Sequence, residues 1–284
     1  MRDDTTPVLE SLLAIVGERG LLTGPDVSNR PNHSWGQGSC PARAIVRPAS
    51  TEELSAVMKL CQQTGQTVVP WGGLTGLVDG ITCEPNDIVV SLERMNQIEH
   101  IDEQAGTMIV QAGAVLENVQ AAAKDAGWQF AVDFGARGSA NIGGAIATNA
   151  GGNSVIRYGM TREQVLGIEA VLADGTVLCN LNESIKNNTG YDLKQLLIGS
   201  EGTLGIVTRA VLRLRPTARS VQTALLAIEN FDDVVSLLRR LGVELEGKLS
   251  SFEVMWHNFY HFMTEESGKH QAALPSHYAY YVLL

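Results

Sequence analysis

Residues 67–77, Thr67-Val68-Val69-Pro70-Trp71-Gly72-Gly73-Leu74-Thr75-Gly76-Leu77, decide how the rest of the chain is read. A β-rich triplet runs straight into a glycine loop. A Rossmann fingerprint needs a helix directly after such a loop, so that its N-terminus meets a pyrophosphate. Leu77 to Asp87 contain Gly80 and Pro85 and show no helical period, and the next apolar run, Ile88 to Leu92, has strand character. The Gly-Lys-Ser/Thr ending of a P-loop is also missing. What remains is a loop whose bare N–H groups, with the Thr75 hydroxyl, can wrap an anion as a backbone nest does.

Upstream, Ala44-Ile45-Val46 reads as a strand. Ser50-Thr51-Glu52-Glu53 offers a capping box to a helix carrying Leu54, Val57, Met58 and Cys61 on one face and ended by Gly65. Further upstream, an amphipathic helix over Val8–Val16 leads into an Asn/Ser/Gly/Pro-rich connection over Ser28–Pro41.

Downstream, strands are expected at Ile88–Leu92 and Met108–Ala112 and a helix from Leu116 to Ala126. A second glycine segment, Asp133 to Gly152, is almost devoid of large side chains and reads as unable to form ordinary core. Val165–Ala173, Asp174-Gly175 and Val177–Cys179 read as a hairpin. A third glycine-rich turn, Gly199 to Thr208, feeds an alternating strand from Ala210 to Leu214, closed by Pro216. Beyond Thr217 a new β-α-β pattern begins, with Val221–Ile228, a helix over Phe231–Leu241, and Leu249–Met255. Each glycine segment gives up core packing and carries extra chain entropy, so three together point to a long ligand lying against backbone.

The chain is 44% apolar and 18% charged with a formal net charge of -10. That charge argues against nucleic acid or anionic lipid as a partner and favours a small molecule. Cys40, Cys61, Cys83 and Cys179 show no C-x-x-C pair and read as structural, consistent with a reducing compartment. Met1 to Thr6 carry no readable leader, no apolar run is long enough to span a bilayer, and a cytoplasmic location is expected.

The glycine segments carry a family resemblance. The chain resembles the FAD-binding domain of the vanillyl-alcohol oxidase and p-cresol methylhydroxylase superfamily, most closely its D-lactate, 2-hydroxyglutarate and glycolate dehydrogenase branch. The matches are Pro70 to Leu77, Ala147 to Gly152, Arg157-Tyr158-Gly159, and Gly199 to Ile206, in the family's order over roughly residues 40 to 216. Two departures stand out: Leu74 replaces a frequent Gly, which implies a negative φ there, and Asn141 replaces a frequent Thr.

The resemblance implies an α+β fold with a two-subdomain FAD-binding domain over 41–217 (subdomains about 41–112 and 113–217). It is preceded by a helix and connection over 1–40 and followed by the start of an α+β substrate cap over 218–284. Gly72 to Gly76, flanked by Pro70, Trp71 and Leu77, would hold the FAD pyrophosphate. Asp133, Ser139, Asn141, Gly143, Gly144, Ala147, Thr148, Asn149, Gly151, Gly152 and Tyr158 would line the flavin and its ribityl chain, and Glu201, Gly205 and Ile206 complete the cofactor contacts. Attachment is expected to be non-covalent, since Trp71 to Gly76 contain no His and residues 133 to 152 no Cys.

The implied chemistry is oxidation of a D-2-hydroxy acid by hydride transfer to flavin N5. Alternatives are a truncated FAD-binding module without turnover, or another oxidase on the same scaffold. No catalytic residue is assigned, because the branch draws its base and any metal ligands from a C-terminal portion not found here. His257 and His261, at i and i+4 among aromatic neighbours, read as packing residues, and no metal ligand is assigned. The electron acceptor leaves no readable mark, and a homo-oligomer is compatible with the sequence.

Overall fold

The computed structural model describes residues 6–32 and 38–284. The expectations for Met1–Thr5, and for 33–37 within the connection, lie outside the described residues. The chain divides into two compact units, one of Met1–Ala131, Gly135–Ala150 and Thr161–Thr217, the other of Val132–Phe134, Gly151–Met160 and Ala218–Leu284.

In the first unit, β1 (Leu21–Leu22), β2 (Ala44–Val46), β3 (Val68–Trp71) and β4 (Ile88–Ser91) form a sheet ordered β1-β2-β4-β3. The β2, β4 and β3 strands are parallel. Both faces of β2 and β4 are buried, which is why they read as short unbroken apolar runs. The helix Thr51–Thr64 buries Leu54, Val57, Met58 and Cys61 as the period predicts. Its capping box is shifted by one residue: Glu53 N donates to Ser50 Oγ at 3.2 Å, while Glu53 Oε2 accepts from Ala49 N at 2.7 Å. Gly65, at φ 65°, closes the helix.

The second sheet of this unit is antiparallel throughout, ordered β5-β6-β10-β8-β9, with β5 Ile98–Asp102, β6 Thr107–Gln111, β8 Val165–Val171, β9 Val177–Asn180 and β10 Ile206–Arg213. A two-residue strand, β7 (Trp128–Gln129), pairs with β11 (Arg215–Pro216). The 165–180 hairpin has the expected form. The strand after the third glycine turn does not alternate, however. As the central strand, β10 buries six of its eight residues, and the short helix Ile142–Ala147 packs on it.

The second glycine segment also departs from expectation. Residues Ile142–Ala147 form a short helix with Ile142, Ala145 and Ile146 buried. Two isoleucines spaced four apart suffice to anchor it, and the surrounding small residues let neighbouring backbone come close.

In the second unit, β12 (Leu225–Ile228), β13 (Glu253–Trp256) and β14 (Tyr280–Leu283) form a sheet ordered β12-β14-β13, both pairings antiparallel. The helix Phe231–Glu244 begins at Asn230, whose side chain accepts from Asp233 N. Tyr260 stacks on Tyr281 with ring centroids 3.7 Å apart. The His257 and His261 rings also stack, at 5.7 Å. His261 faces Glu265 and Glu266, and His257 Nδ1 lies 3.2 Å from Tyr278 O. Among the described residues no group of three His, Cys, Asp or Glu side chains is placed to hold a metal.

Candidate cofactor site

In the first unit the three glycine segments converge. The loop after β3 lies directly on the second segment. A Cβ added at Gly73 would stand 2.1 Å from Ser139 O and 2.8 Å from Ala140 Cα, and one at Gly72 would stand 2.9 Å from Asn141 Oδ1 and 3.2 Å from Gly144 Cα. At Gly143 a Cβ would meet Ala112 Cβ at 2.7 Å. Neighbouring backbone at Gly73, and the short Asn141 and Ala112 side chains at Gly72 and Gly143, leave no room for a Cβ at these positions. The third segment is fastened to the second by Gly199 N to Ile146 O at 3.1 Å and Glu201 N to Ala147 O at 2.8 Å. It touches the first at Gly202, where a Cβ would lie 2.4 Å from Pro70 Cγ.

Gly76 is different. Its φ lies outside the left-handed region and nothing stands within 4 Å of an added Cβ, so neither packing nor backbone conformation asks for glycine there. The N–H groups of Gly73, Leu74, Thr75, Gly76 and Leu77 make no backbone hydrogen bond among the described residues. Five consecutive unclaimed donors beside a bare Cα form a cradle that fits an anionic group such as a pyrophosphate.

Backbone strain concentrates here. Leu74 (φ 56°), Asn149 (47°) and Glu201 (51°) place one left-handed non-glycine residue in each segment, and Asp79 (56°) adds another just past the first. Such residues cost about 1–3 kcal/mol each and persist where surroundings over-determine them. The negative φ expected at Leu74 is therefore corrected. Its side chain packs against a small core of Val27, Cys40, Ala42, Ile45, Trp71, Cys83 and Val89, and that apolar contact holds the backbone where a glycine would otherwise sit.

Trp71 belongs to the same core. It is buried and donates Nε1–H to Ile81 O at 2.8 Å, as a packed aromatic does.

Several proposed cofactor side chains already serve the protein. Asn141 Oδ1 caps the short helix through Gly144 N at 2.8 Å, Thr148 Oγ1 donates to Gly144 O at 2.9 Å, and Asn149 Oδ1 accepts from Arg162 N at 3.0 Å. Gly205 packs against Val171 O, and Ile206 begins β10. Asp133, Gly151, Gly152 and Tyr158 belong to the second unit. There Gly152 abuts Asp133 O, where an added Cβ would stand at 2.0 Å, Gly151 faces Met160, and Arg157 lies 4.9 Å over the Tyr158 ring.

Two arrangements had no signal in the sequence. Cys40 Sγ and Cys83 Sγ lie 3.5 Å apart, with Cys83 held by Asn32 Oδ1, and burial followed by the neighbouring Cys40 pushes the Cys83 thiol up to about 12. Arg162 joins the second glycine segment to the short helix Lys194–Leu197.

Residues 42–179 match the FAD binding domain family. The chain is 41% identical over 238 residues to the mitochondrial D-2-hydroxyglutarate dehydrogenase of Bos taurus, covering 83% of this chain and 43% of that protein. It is 39% identical to the D-2-hydroxyglutarate dehydrogenase of Xanthomonas citri pv. viticola, covering 98% and 58%. A protein from Schizosaccharomyces pombe named as a D-lactate dehydrogenase is 36% identical, over 95% of this chain and 53% of the relative. The chain thus spans about half the length of the curated relatives it matches.

Among solved structures, alkyldihydroxyacetonephosphate synthase superposes with a TM-score of 0.80 at 20% identity, over 99% of this chain and 55% of that one. For p-cresol methylhydroxylase the TM-score is 0.76 at 15% identity, over 100% and 61%. These likenesses establish the fold, and FAD is the cofactor that the family match indicates. The chain carries an FAD-binding domain, over residues 42–179, built on the p-cresol methylhydroxylase type of fold.

Proposed function

We propose that the protein of which this chain forms a part, or the whole, is an FAD-dependent dehydrogenase of D-2-hydroxy acids. Identity of 36–41% over 83–98% of the chain to proteins named for D-2-hydroxyglutarate and D-lactate carries the proposal. The cradle supports it: the five N–H groups from Gly73 to Leu77, which make no backbone hydrogen bond among the described residues, suit a dinucleotide pyrophosphate. When bound, the flavin supplies the acceptor for the hydride equivalent leaving the substrate α-carbon.

The chain's own residues bind and orient. The stacked backbones of Gly72-Gly73 and Ser139-Ala140 fix the loop, and Asn141 and Thr148 cap the two ends of the short helix beside it through Gly144 N and O. The base that takes the substrate hydroxyl proton is not assigned to a described residue.

The test is an absorption spectrum of the FAD-loaded chain from 300 to 550 nm, repeated anaerobically with D-2-hydroxyglutarate and with D-lactate. Bleaching of the flavin bands by either acid supports the reading. A loaded protein that bleaches with neither favours a binding module without turnover. We also propose a cytoplasmic location. Cell fractionation decides it, and some relatives carry "mitochondrial" in their names.

A further inference from the structure

We propose that Arg162 is the positioning residue that sets the spacing between the second and third glycine segments, and thereby the shape of the cofactor cleft they line. The inference rests on the FAD reading and adds a residue that lies outside all three segments.

Arg162 bonds in two directions at once. Its backbone N–H donates to Asn149 Oδ1 at 3.0 Å, on the left-handed residue near the end of the second segment. Its guanidinium donates from Nη1 to Gln195 O at 2.9 Å and Gln195 Oε1 at 2.5 Å, and from Nη2 to Ile198 O at 2.6 Å, just ahead of the third segment. Gly199 follows at φ 84°, and a Cβ there would lie 3.4 Å from Arg162 Nη2 and 3.5 Å from Asn149 Cβ. The two inter-segment bonds, Gly199 N to Ile146 O and Glu201 N to Ala147 O, lie beside this joint.

Among the described residues the guanidinium has no carboxylate partner and is held by carbonyl and amide oxygens. A planar fork reaches the carbonyls of residues 195 and 198 together, whereas an ammonium offers its donors from a single point. Asn149, at left-handed φ, is thus bonded by Arg162 directly, while Glu201 is held by its own N–H to Ala147 O beside the joint.

The test uses the full chain as wild type, Arg162→Lys and Arg162→Gln. FAD affinity is read by fluorescence titration. Amide hydrogen exchange without FAD is read across 146–150 and 198–202. Arg162→Gln is expected to weaken FAD binding by about tenfold, the worth of one charge-assisted hydrogen bond. Arg162→Lys should fall between it and wild type. Exchange should quicken in both segments and stay unchanged in β5 and β6.

Affinity within about twofold of wild type with unaltered protection would overturn the proposal, and so would exchange that quickens throughout the unit. Should Arg162→Gln fail to fold, Arg162→Lys and Gln195→Ala, which removes one acceptor, carry the test. A wild-type chain that takes up no FAD counts against the cofactor reading alone, and the exchange comparison then decides whether Arg162 spaces the segments.

Discussion

Replacing Gly73 and Gly76 by alanine, one at a time, separates what the protein requires of its first glycine loop from what a ligand requires. At Gly73 the new methyl would overlap Ser139 O at 2.1 Å and crowd Ala140 Cα at 2.8 Å. Both are backbone atoms that cannot rotate aside, so the loop must lift off the second segment. Overpacking of this kind costs about 3 kcal/mol, which in a unit of this size lowers Tm by about 6–12 °C. At Gly76 the methyl meets nothing within 4 Å and φ is not left-handed. There the substitution trims the entropy of the unfolded chain and stabilises the FAD-free protein by up to about 1 kcal/mol.

FAD binding should fall in both variants, for different reasons. Gly73→Ala disrupts the loop, and Gly76→Ala places a methyl in the cradle. The assay pairs thermal unfolding of the FAD-free proteins with FAD titration. If Gly76→Ala binds FAD as wild type does, the pyrophosphate does not lie along the Gly73–Leu77 donors. If Gly73→Ala leaves Tm unchanged, the contact with Ser139 and Ala140 is not made.

Acid or heat denaturation should release all flavin into the supernatant, and flavin remaining with the precipitate would reveal a covalent link. A thiol reagent at pH 8 should label Cys179 in the native protein and leave Cys61 and Cys83 untouched. Those two are buried, and burial pushes their thiols up to about 11 and about 12; mass mapping of labelled peptides checks this. Burial raises the Glu93 carboxyl, but the Arg47 and Arg30 guanidinium bonds outweigh it, and the net shift is downward. A depressed folded-state pKa contributes stability that is present above the ordinary carboxylate range and lost as pH falls through the folded value. Glu93→Gln should therefore cost about 1 kcal/mol at pH 7, and the difference from wild type should vanish in acid; an undiminished gap at low pH in denaturant titrations would refute the assignment.

The readable parts of the fold were those governed by local chemistry. The capping residues Ser50 and Glu53, the Gly65 stop and the Asp174-Gly175 hairpin turn each state their geometry within a few residues. Strand β5 was missed because Glu99, His100 and Asp102 interrupt its apolar pattern, and Glu99 is in fact the partner of Arg209 on β10. The helix 142–147 was missed because Gly143 and Gly144 are poor helix formers, and burial of Ile142 and Ile146 overrides that preference. The left-handed Leu74, the Cys40–Cys83 approach and the Arg162 joint all arise from contacts between residues distant in sequence, which no local pattern encodes.

The strand order β12-β14-β13 has a consequence for synthesis. Among the described residues, strands β12 and β13 are not paired with each other, and residues 280–283 bridge them in that sheet. On the ribosome both strands must therefore wait, unpaired, until β14 has left the exit tunnel, whereas the β2-β4-β3 ladder can close once residue 91 has emerged. A nascent chain stalled before residue 280 would already display its first parallel ladder while the three-stranded sheet did not yet exist.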